Sequence, residues 1–395
     1  MGSESSPAGS IAPTPLTPND ARVHTVHARR VGAQRVFMLI DHLDLGGAQR
    51  HAGLVASHLA HSGHEVELAF TGQPDLRVDP SVRLISLAPR PVSRRADAAF
   101  EAASLTAAAR FRPTIVHAHL FASAIAGYRV ACRLGVPLVL SHHSTGTWRT
   151  DDDRRALAGP IAWAGHHFAA SPEIRQQVIA LGAAPDRVEF LANAVPVPEH
   201  PPARPPPSDT LRIGFLGRFS RDKDPVLVLQ AMARLREQGV PARLEMRGGG
   251  ELEPEVLAAV RSLALEEVVT LGEPVTALAE FFAGVDVLCL PSRNEGMPLV
   301  VLEAMGHGVP VVATRVGAVP LEVRDGVTGL LTEPGDAGRL AGRLAWLARH
   351  PAERQAMSTE ARRRAAQAFS VERIGQRVEA VYARLVSKVG WSAPA

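Results

Sequence analysis

The stretch DVLCLPSRNEGMPLVVLEAMGHGVPVVAT, residues 286–314, decides the fold. It contains a short apolar run, a loop, a segment of helical spacing that opens at Pro298, and a second apolar run. Apolar runs that alternate with helical segments are typical of βαβ units in a parallel sheet. Because proline is favoured at the first helical position, we expect the helix to begin at Pro298.

The same alternation continues in both directions, in two series separated by a proline-dense segment. The first series contains RVFMLI, EVELAF, TIVHAHL and PLVLSHH, and the second starts with LRIGFLGRF. The segment PVPEHPPARPPPSDT, residues 196–210, cannot join a central strand and is stiff. We therefore predict an α/β protein with two Rossmann-like doubly wound domains, residues 35–195 and 211–370, that meet across a cleft. Residues 371–395 are expected to form a helix that packs back on the first domain, and a tail.

Composition narrows the class of protein. The chain has 395 residues, 46% of them hydrophobic, with 43 basic and 40 acidic side chains and only 5% aromatic residues. This near balance does not indicate nucleic-acid binding. The start MGSESSPAGSIAPTPLTPND has neither a basic nor an apolar signal region, and we expect residues 1–34 to be a disordered leader. Cys132 and Cys289 lie in apolar stretches, which favours reduced, buried thiols in a cytoplasmic protein.

The first strand of the second series leads into a loop with two cations. Gly217 ends the strand, and Arg218 and Lys223 follow in the text GFLGRFSRDKDP. Arginine and lysine beside a strand end suit a diphosphate, although a solvated charged loop is the alternative. Asp224 and Pro225 then have the residue types of an N-cap and a first helical residue.

A glycine run follows the next strand, in RGGGELEPE at residues 247–255. A dinucleotide fingerprint requires a third glycine where Glu251 stands, so a nicotinamide site is disfavoured. The simpler interpretation is a flexible turn that lets a ligand or the other domain approach the backbone.

The text EGMPLVVLE places two carboxylates eight positions apart. Glu295 falls in the loop and Glu303 inside the helix, too far apart to share a proton. Backbone amides between Gly296 and Leu299 would point out of the helix N-terminus, where an anion or a sugar oxygen is well received. A sugar nucleotide, with hydroxyls at each end and a diphosphate in the middle, fits this arrangement. A turn residue and a water-facing helix acid are the alternatives.

These residues resemble retaining glycosyltransferases of the GT-B group, of the family 4 (group 1) type. The matching texts are GRFSRDKDP, EGMPLVVLE and GHGVPVVATRVGAVPLEV in the second half, with GGAQR and VHAHL in the first half. The resemblance covers about residues 35–385. It implies transfer of a sugar from a nucleotide sugar to an acceptor hydroxyl with retention of anomeric configuration.

The resemblance also implies roles for individual residues. Arg218 and Lys223 would hold the donor diphosphate and stabilise the leaving group. Glu295 would contact the transferred sugar, and Glu303 would bind the ribose hydroxyls. The remaining residues that it assigns to the donor or to the reaction centre are Gly47, His119, Gly296, Met297, Pro298 and Leu299. Asn193 aligns with a family turn whose flanking proline and glycine are alanines here.

Histidines follow two strands of the first series. We interpret His117 and His119 as alternating, so that one faces each side of the sheet and only His119 points into the cleft. His142 and His143 follow another strand and are candidates for the acceptor side, together with Asn193.

No metal or other cofactor is expected, because fixed cations can stabilise the charge of the leaving diphosphate. The acidic run DDD at residues 151–153 has no strand leading into it and is better interpreted as an exposed helix start than as a metal site.

We therefore expect a metal-independent transferase that moves a hexosyl or N-acetylhexosaminyl group from a UDP- or GDP-sugar to a small-molecule or lipid-linked acceptor. The alternatives are an enzyme like UDP-N-acetylglucosamine 2-epimerase, and a non-catalytic nucleotide-sugar-binding subunit. The acceptor and the oligomeric state stay open. Arg90, Arg94 and Arg95 with ARRR at residues 361–364 offer peripheral contact with anionic lipid, but solvated surface fits them better.

Overall fold

The structure, a computed structural model, describes residues 32–44, 46–90, 97–144, 146, 150–200, 208–275 and 277–387. Most of the predicted leader, the middle of the predicted linker, Arg94, Arg95 and the tail from residue 388 onward lie outside these ranges. The strands are β1 (Arg35–His42), β2 (Glu65–Thr71), β3 (Arg83–Ser86), β4 (Ile115–His119), β5 (Leu138–His142), β6 (His166–Ala169), β7 (Val188–Phe190), β8 (Leu211–Leu216), β9 (Ala242–Arg247), β10 (Val269–Gly272), β11 (Val287–Leu290), β12 (Val311–Thr314) and β13 (Gly329–Thr332). The α-helices are α1 (Gly47–His61), α2 (Ala98–Phe111), α3 (Phe121–Leu134), α4 (Asp151–Trp163), α5 (Pro172–Ala180), α6 (Pro225–Glu237), α7 (Glu253–Ser262), α8 (Leu278–Gly284), α9 (Leu299–Gly306), α10 (Val319–Glu322), α11 (Ala337–Arg349), α12 (Pro351–Arg364) and α13 (Val371–Val386).

The strands form two parallel sheets, which confirms the predicted α/β fold. The first sheet has seven strands in the order β3-β2-β1-β4-β5-β6-β7, and the second has six in the order β10-β9-β8-β11-β12-β13. In each sheet the strand order reverses once, between β1 and β4 and between β8 and β11. Ligands of doubly wound sheets bind at the carboxyl ends of the strands beside such a reversal. The loops after these four strands are therefore the place to look for a site.

Burial explains why the short apolar runs became strands. Every residue of β4, β5, β6, β11 and β12 is buried, as expected where helices cover both faces of a parallel sheet. Gly127 of α3 shows how closely a helix packs, because a methyl group there would lie 2.9 Å from the Ala118 side chain. The tight packing fixes the strand ends from which the loops start.

Two predicted helix starts differ in detail from the structure. Helix α9 begins at Leu299, and Pro298 is its N-cap in an extended conformation. Asp224 precedes α6 as predicted, but its side chain does not cap the helix. The backbone of Asp224 has a positive φ of 47°, and its carboxylate instead contacts the Arg293 guanidinium at 2.7 Å. The Asp224 side chain therefore connects two loops of the second sheet.

Two other expectations are corrected by burial. Cys132 is exposed, because it lies one position past the inward-facing Ala131 on α3, whereas Cys289 is buried as expected. Gln34 belongs to the predicted disordered leader but is buried against the first sheet. Its backbone N–H donates to His64 Nδ1 at 3.0 Å, and its side chain accepts from the Thr114 hydroxyl.

Helix α13 packs on α1 of the first sheet. Glu379 of α13 contacts His58 Nε2 at 3.3 Å and His64 Nε2 at 3.7 Å. Burial raises the pKa of the Glu379 carboxyl, but hydrogen bonds with these two imidazoles outweigh burial and hold the pKa well below its usual range. Gly375 gives the His58 ring room, since a methyl group there would lie 2.1 Å from it. The buried Tyr382 hydroxyl lies 2.6 Å from His117 Nδ1 in β4. The last helix thus reaches the strand that carries His119.

The basic run at the end of α12 is occupied by contacts within the protein. Arg362 donates to the carbonyl oxygens of Pro198 and Glu199. Arg364 donates to the carbonyl oxygens at the end of α10. These two side chains connect chain segments, whereas Arg363 between them is exposed and pairs with Glu360 of the same helix. Within the described ranges, no helix is both long and apolar enough to cross a membrane.

The glycine run after β9 packs against the loop that holds the two cations. Gly217 N–H donates to the Arg247 carbonyl oxygen, and Phe219 N–H donates to that of Gly249. Gly248 has a positive φ of 157°, and a methyl group there would lie 1.9 Å from the Gly217 carbonyl oxygen. The glycines therefore allow two neighbouring loops of the same sheet to touch, rather than a close approach by the other domain.

This contact predicts a contrast between two glycine-to-alanine variants. Gly248→Ala should lower the free energy of unfolding by about 1–3 kcal/mol, because it adds steric conflict and backbone strain. Gly342 lies inside α11 with no atom near an added methyl group. Gly342→Ala should therefore raise the free energy of unfolding by about 0.5–1 kcal/mol. Urea unfolding measures both, and a Gly248→Ala variant as stable as the parent would contradict the contact.

Candidate functional site

The loops after β8 and β11 are tied together. Arg293 N–H donates to the Asp222 carbonyl oxygen at 2.7 Å, and the Asp224–Arg293 ion pair adds a second connection. Lys223 lies between these contacts in the β8 loop. Arg218 lies in the same loop and is exposed, and no described residue forms an ion pair with it. Both predicted cations therefore lie in one anchored loop. Arg218 is exposed, and Lys223 has an ion-pair partner.

Lys223 and Glu295 form the central contact of the site. Lys223 Nζ lies 2.5 Å from Glu295 Oε1, and both side chains are largely buried. The Ser292 hydroxyl donates to the same carboxylate oxygen at 2.6 Å. The Thr314 hydroxyl donates at 2.5 Å to the Ser292 carbonyl oxygen, which connects the contact to β12. Because a buried charge needs a partner, Lys223 and Glu295 hold each other in place.

A glycine beneath Glu295 permits this geometry. Gly317 has a positive φ of 51°, and a methyl group there would lie 1.9 Å from the Glu295 carbonyl oxygen. Ala318 N–H donates to the Gly296 carbonyl oxygen at 2.8 Å. The segment RVGAVP, residues 315–320, thus packs against the backbone of Glu295 and Gly296 at the start of EGMPLVVLE.

Two helix N-termini meet at this place. Helix α9 begins at Leu299 and helix α1 at Gly47, and a methyl group on Gly47 would lie 3.9 Å from Leu299 Cβ. Neither helix has a side-chain cap or an acidic residue in its first turn. Uncapped N-termini carry partial positive charge and unpaired N–H groups, so this junction favours an anionic ligand.

Glu303 contacts Arg50 of helix α1, which belongs to the first sheet's half of the chain. Glu303 is 3% exposed, and its Oε1 lies 3.0 Å from Arg50 Nη1. Burial raises the pKa of Glu303 to about 7, and Arg50 acts in the opposite direction. The contact is an ion pair without hydrogen-bond alignment, because Oε1 has no hydrogen-bond partner among the described residues. Glu303 is therefore positioned by α9 but retains capacity to accept hydrogen bonds.

A group of imidazoles lies on the first sheet's side of the site. His119 Nδ1 is 3.0 Å from His143 Nε2, and the two rings are stacked. The His51 ring lies 5.3 Å from that of His143. Burial lowers the pKa of His119 and of His51 well below the usual histidine value, so both are neutral. Leu120, directly after His119, has a positive φ of 69° that starts α3 abruptly at the end of β4.

The interpretation that His117 and His119 face opposite sides was wrong. Their rings are 4.3 Å apart, because residues two apart on a strand point to the same face. His117 is engaged by Ser141 and Tyr382. The structure brings His143, directly after β5, to the site but not His142, the last residue of that strand. His142 instead stacks on His167, with Nε2 at 3.1 Å from Nδ1.

Asn193 connects the two sheets. Its Nδ2 donates to the Met297 carbonyl oxygen at 2.9 Å, and its backbone N–H lies 3.1 Å from the Met297 sulfur. Gly296 allows the loops to meet, because a methyl group there would lie 2.9 Å from the His143 carbonyl oxygen. The predicted residues from Glu295 to Leu299 therefore lie against Asn193 and His143.

Sequence reasoning missed Arg50 and Glu322. Arg50 ends the quoted text GGAQR, and only its contact with Glu303 reveals a role. Glu322 is fully buried, and neither of its carboxylate oxygens has a partner among the described residues. Burial and the nearby charge of Glu295 raise the pKa of Glu322 well above its usual value, so it is neutral. An acidic residue inside an otherwise apolar helical text was the available signal.

The acidic run at residues 151–153 is the first turn of α4, as expected. Thr150 and Asp153 form a capping box, and Asp151 pairs with Arg154. Within the described part of the chain, no group of three or more histidine, cysteine, aspartate or glutamate side chains is arranged to hold a metal ion.

The raised pKa of Glu303 predicts a pH-dependent cost in stability. Below about pH 4.3 the carboxyl is protonated in both the folded and unfolded states, and above that pH only the unfolded state loses the proton until the folded pKa is passed. Folding stability should therefore fall relative to Glu303→Gln as the pH rises from 4 to 8, by about 3 kcal/mol for a shift to a pKa of about 7. Urea unfolding of both proteins at each pH measures the difference.

Arg50→Met serves as the control for this prediction. Arg50 lowers the pKa of Glu303, so its removal should extend the loss of stability to higher pH. A stability difference between the parent and Glu303→Gln that does not change with pH would contradict the buried, raised carboxyl.

Comparison with known proteins identifies the family. The model of "Glycosyltransferase Family 4" matches residues 45–198, and that of "Glycosyl transferases group 1" matches residues 197–364. A D-inositol 3-phosphate glycosyltransferase of Streptosporangium roseum is 31% identical, with 86% of this chain and 88% of the relative covered. The enzyme of the same name from Thermobifida fusca is 29% identical, with 80% of this chain and 83% of the relative covered.

Solved structures share the fold. Sucrose-phosphate synthase from Thermosynechococcus elongatus superposes with a TM-score of 0.79 at 20% identity, covering 90% of this chain and 99% of that one. HepE of Anabaena in complex with UDP superposes with a TM-score of 0.76 at 18% identity, covering 89% and 100%. The two family models meet where the second sheet's half of the chain begins, and the group 1 model includes both site loops of the second sheet. The chain is a glycosyltransferase of the GT-B fold that belongs to glycosyltransferase family 4, the group 1 glycosyltransferases.

Proposed function

We propose that this enzyme transfers a hexosyl or N-acetylhexosaminyl group from a UDP- or GDP-sugar to an acceptor hydroxyl, with retention of configuration and without a metal ion. One observation carries the proposal: a buried lysine and glutamate pair lies at the mouth of an uncapped helix that also carries a second buried glutamate. This combination provides cations and amides for a diphosphate, and carboxylates for hydroxyls on either side of it.

Each end of the donor has a partner in this arrangement. Arg218 and Lys223 receive the diphosphate, and the N-terminus of α9 adds N–H groups. Glu303 accepts hydrogen bonds from the ribose, and Glu295 accepts them from the transferred sugar. When the diphosphate leaves, its negative charge grows, and the fixed cations stabilise that charge more than they stabilise the bound donor.

Lys223 must change partner in this mechanism. In the structure its ammonium group is paired with Glu295. An arriving diphosphate competes for that ammonium group, which leaves Glu295 free to accept hydrogen bonds from the sugar hydroxyls. Donor binding and the preparation of Glu295 are therefore coupled through one lysine.

The first sheet's loops supply the other wall of the site. Gly47 of α1 approaches the α9 N-terminus, and His119 presents its Nε2 atom without a partner among the described residues. His143 and Asn193 lie beside it and, in this proposal, face the acceptor side. Glycosyltransferase membership favours transfer over epimerisation or binding alone.

The acceptor is proposed to be a small polyol or a lipid-linked hydroxyl compound. Because two relatives are D-inositol 3-phosphate glycosyltransferases, D-inositol 3-phosphate is the first acceptor to test. The identity of about one third leaves the acceptor loops free to differ, since binding loops vary more than the strands that hold them.

The proposal is tested by incubating the purified enzyme with UDP- and GDP-sugars and a panel of acceptors, and measuring released nucleotide and product mass. An α-linked donor should give an α-linked product, read from the anomeric proton coupling. Consumption of donor to an epimer without an acceptor, or tight donor binding with no turnover against the whole panel, would contradict it. Added chelator should leave the rate unchanged.

Two variants should separate donor binding from chemistry. Glu303→Ala should raise the KM for the donor about tenfold or more with a smaller change in kcat, because ribose contacts are made throughout the reaction. Lys223→Ala should lower kcat about 10²–10³-fold, because it removes a cation where charge develops. Arg221→Ala, an exposed cation in the same loop, is the control and should change neither constant. Equal losses of donor affinity in Glu303→Ala and Lys223→Ala would remove the distinction.

A further inference from the structure

Helix α13 carries a buried hydroxyl group into the first sheet. Tyr382 and His117 are both 0% exposed, and the Tyr382 hydroxyl oxygen lies 2.6 Å from His117 Nδ1. The Ser141 hydroxyl oxygen lies 2.8 Å from His117 Nε2, on the other side of the ring. Burial lowers the pKa of His117 to about 3, so the ring is neutral and carries one N–H group. One hydroxyl group therefore donates to the ring, and the other accepts from it.

These two hydrogen bonds fix the orientation of the His117 ring. Turning the ring over would place carbon atoms where its nitrogens are, and it would break both hydrogen bonds. A buried hydroxyl group without a partner is costly, so the ring resists this rotation. Apolar side chains would be enough to hold a helix on a sheet, whereas a fully paired polar network also defines one geometry. The contact of Tyr382 with His117 therefore specifies a position, and not only an attachment.

His119 lies next to this ring, one step closer to the site. Residues 117 and 119 point to the same face of β4, and their ring centres are 4.3 Å apart. On the neighbouring strand β5, Ser141 pairs in register with His119, and His143 follows two residues later. His143 Nε2 lies 3.0 Å from His119 Nδ1. The side chains thus form two layers, an inner one of Tyr382, His117 and Ser141 and an outer one of His119 and His143.

The outer layer depends on the inner one for its position. Strand β4 ends at His119, and Leu120 has a positive φ of 69°, so the backbone leaves the strand directly after this ring. Three imidazoles surround the ring of His119, with ring centres at 4.3 Å for His117, 5.3 Å for His143 and 6.2 Å for His51. The nearest is the ring that α13 holds. A displacement of about 1 Å at a reaction centre can lower the rate about 100-fold.

We propose that Tyr382 and His117 are positioning residues: the last helix fixes the His117 ring, and that ring holds His119 at the reaction centre. The role of His119 rests on the proposed function, whereas the contact between Tyr382 and His117 does not. Helix α13 follows the second sheet's half of the chain, so the end of the chain helps to build the first half's side of the site. The residues proposed to hold the diphosphate and the ribose lie in the second sheet's half. We therefore expect the contact with α13 to affect turnover and not nucleotide binding.

Tyr382→Phe tests the contact, because it removes one oxygen atom and keeps the ring that packs in the core. We expect kcat to fall about tenfold or more, since His119 is no longer held in place. The KM for the donor and the Kd for UDP or GDP should stay unchanged, because the nucleotide contacts lie elsewhere. Steady-state kinetics and calorimetry measure these constants. Unchanged kcat in a folded Tyr382→Phe variant would overturn the proposal.

Arg377→Met is the matched control on the same helix. Arg377 pairs with Glu189 and donates to the Phe190 carbonyl oxygen, so its loss weakens the attachment of α13 without removing a contact with His117. This variant should lower the free energy of unfolding and leave kcat unchanged. A fall of kcat as large as that in Tyr382→Phe would show that attachment of the helix is enough, and it would overturn the positioning role.

Ser141→Ala tests the same ring from the opposite side, without touching α13. It should also lower kcat. The double variant with Tyr382→Phe should lose less than the product of the two single losses, because both substitutions act through His117. Losses that multiply in full would contradict a shared ring.

Histidine ring signals provide a measurement that does not depend on activity. In long-range ¹H–¹⁵N spectra of the full-length protein labelled with ¹⁵N-histidine, the signals that disappear in His119→Gln belong to His119. They should move in Tyr382→Phe and in Ser141→Ala, and they should stay in place in Arg377→Met. Unchanged His119 signals would overturn the proposal, and the Ser141→Ala spectrum decides where Tyr382→Phe does not fold. If no sugar nucleotide turns over, the proposed function fails, and the spectra alone decide whether the inner layer positions His119.

Discussion

The buried ion pair between Lys223 and Glu295 is the contact on which the site depends. It joins the loop after β8 to the loop after β11, at the point where the strand order of the second sheet reverses. A buried lysine without a partner would be costly, and so would a buried glutamate. The pair therefore holds the two loops together, and in the proposed mechanism Lys223 would exchange Glu295 for the donor diphosphate.

The rest of the site is organised around the N-terminus of α9. The first sheet approaches it through Gly47, Asn193 and the His143 backbone, and each approach requires a small residue or a specific hydrogen bond. Arg50 reaches Glu303 from the first sheet's helix α1. A donor bound at α9, as proposed, would therefore be in contact with both halves of the chain.

The sequence was sufficient to predict the fold, because apolar periodicity depends on local rules, and it predicted that Glu295 lies in a loop and Glu303 inside the helix that follows. It was not sufficient for contacts between the sheets. Nothing near Arg50 indicates that it meets Glu303, and the pairing of Lys223 with Glu295 depends on which strands become neighbours. The Asp224 carboxylate pairs with Arg293, which is distant in sequence. A capping rule that considers only neighbouring residues cannot predict that partner. The error at His117 and His119 was geometric, since residues two apart on a strand share a face.

The most direct test of the central claim is a crystal structure of the enzyme with UDP or GDP bound. We predict diphosphate oxygens within hydrogen-bonding distance of Arg218, Lys223 and the α9 N-terminus, with the ribose on Glu303 and the Lys223 ammonium group drawn away from Glu295. A nucleotide bound elsewhere, with the contact between Lys223 and Glu295 unchanged and the α9 N-terminus empty, would contradict it.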